Sequence, residues 1–293
     1  MQIVTDSGTD VGLTVKELDK LNIHIVPLSV TLEGKTYREG VDITTDEFYQ
    51  LLLISDHYPT TSQPSAGDFA ETYRRLVEAG DPDILSIHIS SGLSGTVNAA
   101  KAGAAMVPEA NVTVVDTKTL SAAAGWQVKA AAEAAQRGAS KEEILDLLQR
   151  ISAITDSIYT LKELNYLIHG GRISHMKGLL ASVLKIKPII GVEKEGGTYV
   201  QMGQARAFKR AITALVDVIA QQHPEGSELR VQVLHAYNPV GAEMLHEALR
   251  KRFVCRFLPE GTISLVLGAH TGPSMVGVAY APARAWDDLG IGA

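Results

Sequence analysis

The stretch DILSIHISSGLSGTVNAAKAGAAM, residues 83–106, decides the fold class. Its first seven residues form an apolar, partly β-branched run of the length of a buried strand, and its alanine-rich end reads as a helix. Between them lies SSGLSGT (90–96), a loop of small and hydroxylated residues. A strand that passes through a short loop into a helix is the repeating unit of a parallel sheet covered by helices. Working outward, IHIVPLSVTL (23–32) and NVTVVDT (111–117) read as further strands, and GDFAETYRRLVEAG (67–80) reads as a helix between strands. In SKEEILDLLQRISAI (140–154), Ser140 and Glu143 have the spacing of a capping box. Ile144, Leu147, Leu148, Ile151 and Ile154 then repeat on one helical face.

After about residue 157 the texture changes. KIKPIIGVE (185–193) and GTYVQMG (197–203), joined through KEGG, read as a hairpin. A helix from about Arg206 to Gln222, a strand ELRVQVLHA (228–236), a helix from about Gly241 to Phe253, and strands around SLVLGAH (264–270) and VGVAYAP (276–282) follow. The expected architecture is α/β: a parallel-sheet, three-layer domain over residues 1–157, packed on a smaller α/β domain with a mixed sheet over 158–293. Ligands favour the cleft between two such units.

Composition narrows the function. The 27 basic and 33 acidic residues leave a formal charge of −6, which gives a nucleic acid backbone no global attraction. No run approaches 18 apolar residues, and the opening MQIVTDSGTD has neither a basic start nor an apolar signal core, so a cytoplasmic, non-integral protein is expected. Cys255 has no second cysteine to pair with, and its setting, FVCRFL, reads as that of a buried, inert thiol. The nine histidines form no H-E-x-x-H or Cys/His cluster, so no metal is expected.

Chemistry concentrates in three small-residue segments. In SSGLSGT, glycines permit close backbone approach and a helix start near Thr96 directs N–H groups at a ligand, the outline of an anion or carboxylate site. Two other readings stay open there: a loop whose serines merely cap the helix, and a nucleophilic Ser94. The nucleophile motif G-x-S-x-G is missed by one residue, because Thr96 stands at its last glycine. No Gly-Lys-Ser/Thr follows, so the loop is not a phosphate-binding Walker loop. In PTTSQPS (59–65), Ser65 reads as a helix cap with Asp68 at its third position, which leaves Thr61 and Ser62 free to donate. In GAHTGPS (268–274), His270 is a donor, a general base or a satisfied turn histidine. GGRIS (170–174) places two glycines before Arg172, a tight turn that projects a guanidinium or builds a salt bridge, and Arg206 opens a basic helix with Lys209 and Arg210. Asp6 and Asp116 end strands, where capping the next turn is the expected role of each.

TDS (5–7), PTTSQPS, SSGLSGT, VVDT (114–117), GGRIS, KIKPII and GAHTGP follow one another in the order found in the DegV family of bacterial fatty acid binding proteins, which this chain resembles over nearly its whole length. It departs at SAAAGW (121–126) and Ser274, positions that bear on acyl-chain preference. The resemblance implies a non-catalytic protein without a cofactor that buries one long-chain fatty acid and presents its carboxylate to a separate ATP-dependent fatty acid kinase subunit. The acyl phosphate formed there feeds phospholipid synthesis, and lipid exchange implies transient membrane contact. Carried over residue by residue, the resemblance assigns the carboxylate to Thr61 and Ser94, with Ser62, Ser91, Gly95 and His270 completing the polar network. It assigns Arg172 and Arg206 to partner docking or acyl-phosphate contact. Burying about 14 methylenes at ~0.8 kcal/mol each supplies a gross ~11 kcal/mol, so neutral hydroxyl donors suffice to place the head group. The alternatives from other classes are a serine esterase or acyltransferase using Ser94 and His270, and a lipid-sensing regulator.

Overall fold

The computed structural model describes residues 1–175 and 186–291. The first half carries strands β1 (Gln2–Asp6), β2 (Ile23–Val26), β3 (Ser29–Leu32), β4 (Lys35–Arg38), β5 (Thr60–Ser62), β6 (Asp83–His88) and β7 (Asn111–Asp116). Four of them form a parallel sheet in the order β2-β1-β6-β7. β1 is buried throughout and β6 is buried after its first residue, so that even their polar residues Thr5, Asp6, Ser86 and His88 are enclosed. Helices Ala66–Glu78 and Thr96–Ala105 cover one face through Phe69, Tyr73, Val97 and Ala100, and helix Ser121–Gln136 packs on the other. Ser65 and Asp68 make the expected capping box, as do Ser140 and Glu143 on helix Lys141–Ile154.

The run 23–32 is not one strand. Pro27 removes a ladder N–H, and the chain leaves the parallel sheet there. β3 instead centres a separate antiparallel sheet, β4-β3-β5, in which Val30 lies opposite Thr61. Thr61 thereby gains a fixed, strand-borne position.

The second half adds β8 (Asp156–Thr160), β9 (Lys187–Val192), β10 (Tyr199–Ala205), β11 (Glu228–His235), β12 (Val254–Phe257), β13 (Gly261–Thr262) and β14 (Val276–Pro282). These form a mixed sheet in the order β10-β9-β8-β14-β11-β12, with β13 also beside β11. The expected hairpin is β9–β10; Lys185, the first residue expected in it, lies outside the described residues. Helices Phe208–Gln222 and Pro239–Arg252 bury Leu215, Ile219, Leu245 and Leu249 against this sheet.

SLVLGAH is helical, not extended: Leu265–Thr271 forms a short helix capped by Ser264, whose hydroxyl accepts from the Leu267 N–H. A short, fully buried apolar run has no polar face from which a period could be read. This helix comes late in the chain but packs on helix Thr45–Ile54, β3 and β5 of the first half. The largest hydrophobic core likewise draws on both halves, from Ile3 and Leu85 to Tyr199 and Ala279. Among the described residues, no helix is long and apolar enough to cross a membrane.

Candidate functional site

Two adjoining cavities, one mixed and one apolar, lie where the halves meet. The first, of about 230 Å³, carries Thr61, Ser62, Gln63, Ser94, Arg172 and His270 beside apolar Leu28, Ile89 and Val266. The second, narrow and of only about 40 Å³, is almost wholly apolar and runs between the first turn of helix Ser121–Gln136 and strands β8 and β14. Leu120, Tyr199 and Leu267 line both, so the two cavities adjoin at these side chains.

The small residues of SSGLSGT are explained by what rests on them. The turn of the β9–β10 hairpin lies against this loop: Ser90 donates its hydroxyl to the Gly197 carbonyl at 2.8 Å, and a Cβ on Gly92 would stand 2.5 Å from the Gly196 carbonyl oxygen. The loop is folded so that the N–H groups of Leu93 and Ser94 both donate to the Ser90 carbonyl, which turns Ser94 to the mouth. The Ser94 hydroxyl lies 2.8 Å from that of Thr96 and accepts from the Thr96 N–H, so it also supports the helix start. Ser91 turns the other way. Its N–H and hydroxyl both donate to Asp116, tying the loop to the end of β7 on the exposed side. Gly95 sits against the Gln63 amide.

His270 is 7% exposed, and burial, reinforced by the Arg172 charge, pushes its pKa down to about 3, so the ring is neutral at physiological pH. Its Nε2 lies 2.8 Å from the Thr61 hydroxyl, while its Nδ1 packs against Gly170 without a hydrogen-bond partner among the described residues. A buried N–H without an acceptor is the costlier orphan, so the proton belongs on Nε2. His270 then donates to Thr61, and the Thr61 hydroxyl hydrogen is left for a ligand in the mouth. Gly170 is obligatory here because any side chain would collide with the imidazole, and Gly171 adopts φ 75°.

That turn delivers Arg172 to the mouth, half-buried, with Nε donating to the Leu93 carbonyl at 3.4 Å and one terminal nitrogen donating to Gly170 O at 2.7 Å. Arg206 is not brought to this site. It is exposed after β10 and lines neither cavity, and Arg210 nearby reaches Asp217 at 4.0 Å. Cys255 is half-buried, and burial pushes its thiol up to about 11.

The structure also contains a serine, a histidine and an aspartate in line, but elsewhere. Ser86 Oγ lies 2.7 Å from His88 Nε2, and His88 Nδ1 lies 2.9 Å from Asp6. All three are fully buried between strands and helix, out of reach of any substrate. Ser94 and His270, by contrast, use their polar atoms on Thr96 and Thr61, and His270 Nδ1 has no carboxylate to orient it. Two mouth residues carry no motif of their own. Gln63 sits between the expected Ser62 and a proline, and Tyr199 reaches the cavity junction from β10.

A family model described as "Uncharacterised protein, DegV family" matches residues 1–283. The chain belongs to the DegV family. A DegV domain-containing protein of Deinococcus radiodurans is 36% identical over 284 residues, covering 97% of this chain and 96% of the relative. Among solved DegV structures, a fatty acid binding family member from Thermus thermophilus superposes with a TM-score of 0.84 at 32% identity, covering 96% of this chain and 99% of that one. DegV of Bacillus subtilis, also described as a fatty acid binding protein, gives 0.84 at 28% identity, with 96% and 98% covered. The DegV fold is therefore this chain's fold: a parallel sheet in the first half and a mixed sheet in the second.

Proposed function

We propose that this chain binds one long-chain fatty acid, with its carboxylate at the hydroxyl-lined mouth and its tail in the apolar cavity. It then presents the carboxyl group to a separate ATP-dependent kinase subunit in the cytoplasm. The observation that carries the reading is the junction of the two cavities at Leu120, Tyr199 and Leu267, which suits a ligand with one polar end and a long apolar body. The fatty acid binding DegV structures from Thermus and Bacillus support the same ligand class.

Thr61, Ser62 and Ser94 supply neutral donors to the carboxylate, His270 orients Thr61, and the Gly95 region supports the loop that carries Ser94. Ser91 acts one step back by fixing that loop to Asp116. No group in this set is placed to perform catalysis, so the bond-making step belongs to the partner. There a carboxylate oxygen attacks the terminal phosphorus of ATP as the bond to the ADP oxygen breaks. Ser62 and Gln63 are exposed at the mouth, which leaves the carboxyl end within reach of a second protein. Among the described residues, Arg172 is the one charged group lining the mouth and is suited to meet the new phosphate, and exposed Arg206 is suited to docking.

Native mass spectrometry of the purified protein, followed by denaturing extraction, tests the ligand. One fatty acid per chain is expected; a ligand-free mass that also fails to take up added fatty acids rejects the reading. Arg172→Ala is expected to bind fatty acid within about twofold of wild type yet to lower acyl phosphate formation by the kinase subunit at least tenfold, read as trapped hydroxamate. Unchanged phosphorylation would remove Arg172 from the transfer step.

A further inference from the structure

The helix Leu265–Thr271 brings His270 to the mouth and Val266 and Leu267 to the cavity walls, yet it has only seven residues. Helices this short depend on their surroundings for position. Two acidic side chains from the first half hold its start. Asp10 accepts the Ser264 N–H at 2.9 Å, and Glu39 accepts the Leu265 N–H at 2.7 Å. Asp10 also accepts the hydroxyl of Ser121, whose helix walls the apolar cavity. Glu39 serves the head-group helix.

Glu39 is half-buried, but its Oε2 is fully buried and has no hydrogen-bond partner among the described residues. Burial pushes the carboxyl up to about 7, with Asp6 adding to the rise and the Ser7 hydroxyl and Leu265 N–H opposing it. Asp10 is pushed well above the ordinary range by burial, with Glu39 and Asp6 adding to it. Tyr49 of helix Thr45–Ile54 also faces the pair, its phenol raised first by burial and then by both acids. An acid in such a place is poorly suited to stabilise the fold by its charge.

We infer that Glu39 is a positioning residue for ligand binding: its ionised carboxylate, hydrogen-bonded to the first N–H of helix Leu265–Thr271, seats His270 against Thr61 more firmly than its protonated form does. A charged acceptor makes the stronger hydrogen bond to an amide. Stability and binding then run in opposite directions with pH. Between about 4.5 and about 7 the folded protein keeps a proton that the unfolded chain has released, and the stability this contributes is lost as pH rises through about 7. Affinity for the ligand rises over the same interval.

The inference rests on the fatty acid reading, and Glu39→Gln tests it because the amide keeps an oxygen for Leu265 and removes the charge. At pH 8 the variant is expected to melt at a higher temperature than wild type yet to bind palmitate at least threefold more weakly. At pH 6 the two affinities converge. Equal affinities at pH 8, or a deficit of the same size at both pH values, would overturn the assignment. A ligand-free measurement separates this inference from the reading beneath it. The His270 ring resonances, assigned by their loss in His270→Gln, are expected to shift with a midpoint near pH 7 in wild type and to stay still in Glu39→Gln. Matching titrations in the two proteins reject the positioning role whatever the ligand is. If the resonances behave as expected but neither protein takes up palmitate, the fatty acid reading fails and the positioning role stands.

Discussion

Asp6→Ala is expected to destabilise the protein by about 3–5 kcal/mol, the usual result of breaking a buried, hydrogen-bonded polar network. Asp6 is completely buried at the end of β1. Its carboxylate accepts the Gly8 N–H at 3.0 Å, the Ile89 N–H at 3.1 Å and the His88 ring at 2.9 Å. Beyond His88 the chain continues to Ser86 and the Tyr73 hydroxyl, whose pKa burial pushes up to about 12. Alanine would leave three donors without an acceptor in a place water does not reach. Urea unfolding measures the effect, and a loss below about 1 kcal/mol would mean that the network is dispensable. Asp6→Asn is the informative companion. Its amide oxygen recovers part of the loss, while its N–H₂ meets another donor and keeps recovery incomplete.

The second large effect is expected from Ala123→Phe, and it falls on binding rather than on folding. Ala123 is 1% exposed and lines the apolar cavity from the first turn of its helix. A ring in that space excludes part of the alkyl tail. Displacing about five methylenes at ~0.8 kcal/mol each removes ~4 kcal/mol, close to a thousandfold in affinity for a long chain. A ring that fills empty apolar volume also adds packing contacts, so the melting temperature is expected to hold or rise. Calorimetric titration with palmitate and with a shorter acid such as octanoate separates the two effects. Wild-type affinity for palmitate in the variant would mean that the tail lies elsewhere.

Much of this architecture is legible along the chain because local rules and burial agree there. The capping boxes at Ser65 and Ser140, the strands β6 and β7, and the β9–β10 hairpin all carry short-range signals of their own. The failures are equally specific. Pro27 divides a run that reads as one strand, and a lone proline does not say into which sheet the chain goes next. SLVLGAH reads as a strand because an all-apolar segment has no period, and its helical start is held by Asp10 and Glu39, which are 254 and 226 residues away in sequence. At the site, Thr61, Ser62, Ser94, Arg172 and His270 carry visible motifs and do meet at one mouth, whereas Ser91, Gly95 and Arg206 lie off it. Tyr199 carries no signal because its role comes only from the register of β10 in the second sheet.

The docking of the late helix Leu265–Thr271 on β3, β5 and helix Thr45–Ile54 also sets an order of events during synthesis. Contacts between residues far apart in sequence form only after the intervening chain has been synthesised and the entropy of closing that loop has been met. A nascent chain that ends before Ser264 already contains every strand of the parallel sheet and the Thr61 edge, but His270 has not yet been made. On the proposed reading, a competent head-group site for fatty acid exists only once translation has passed that helix.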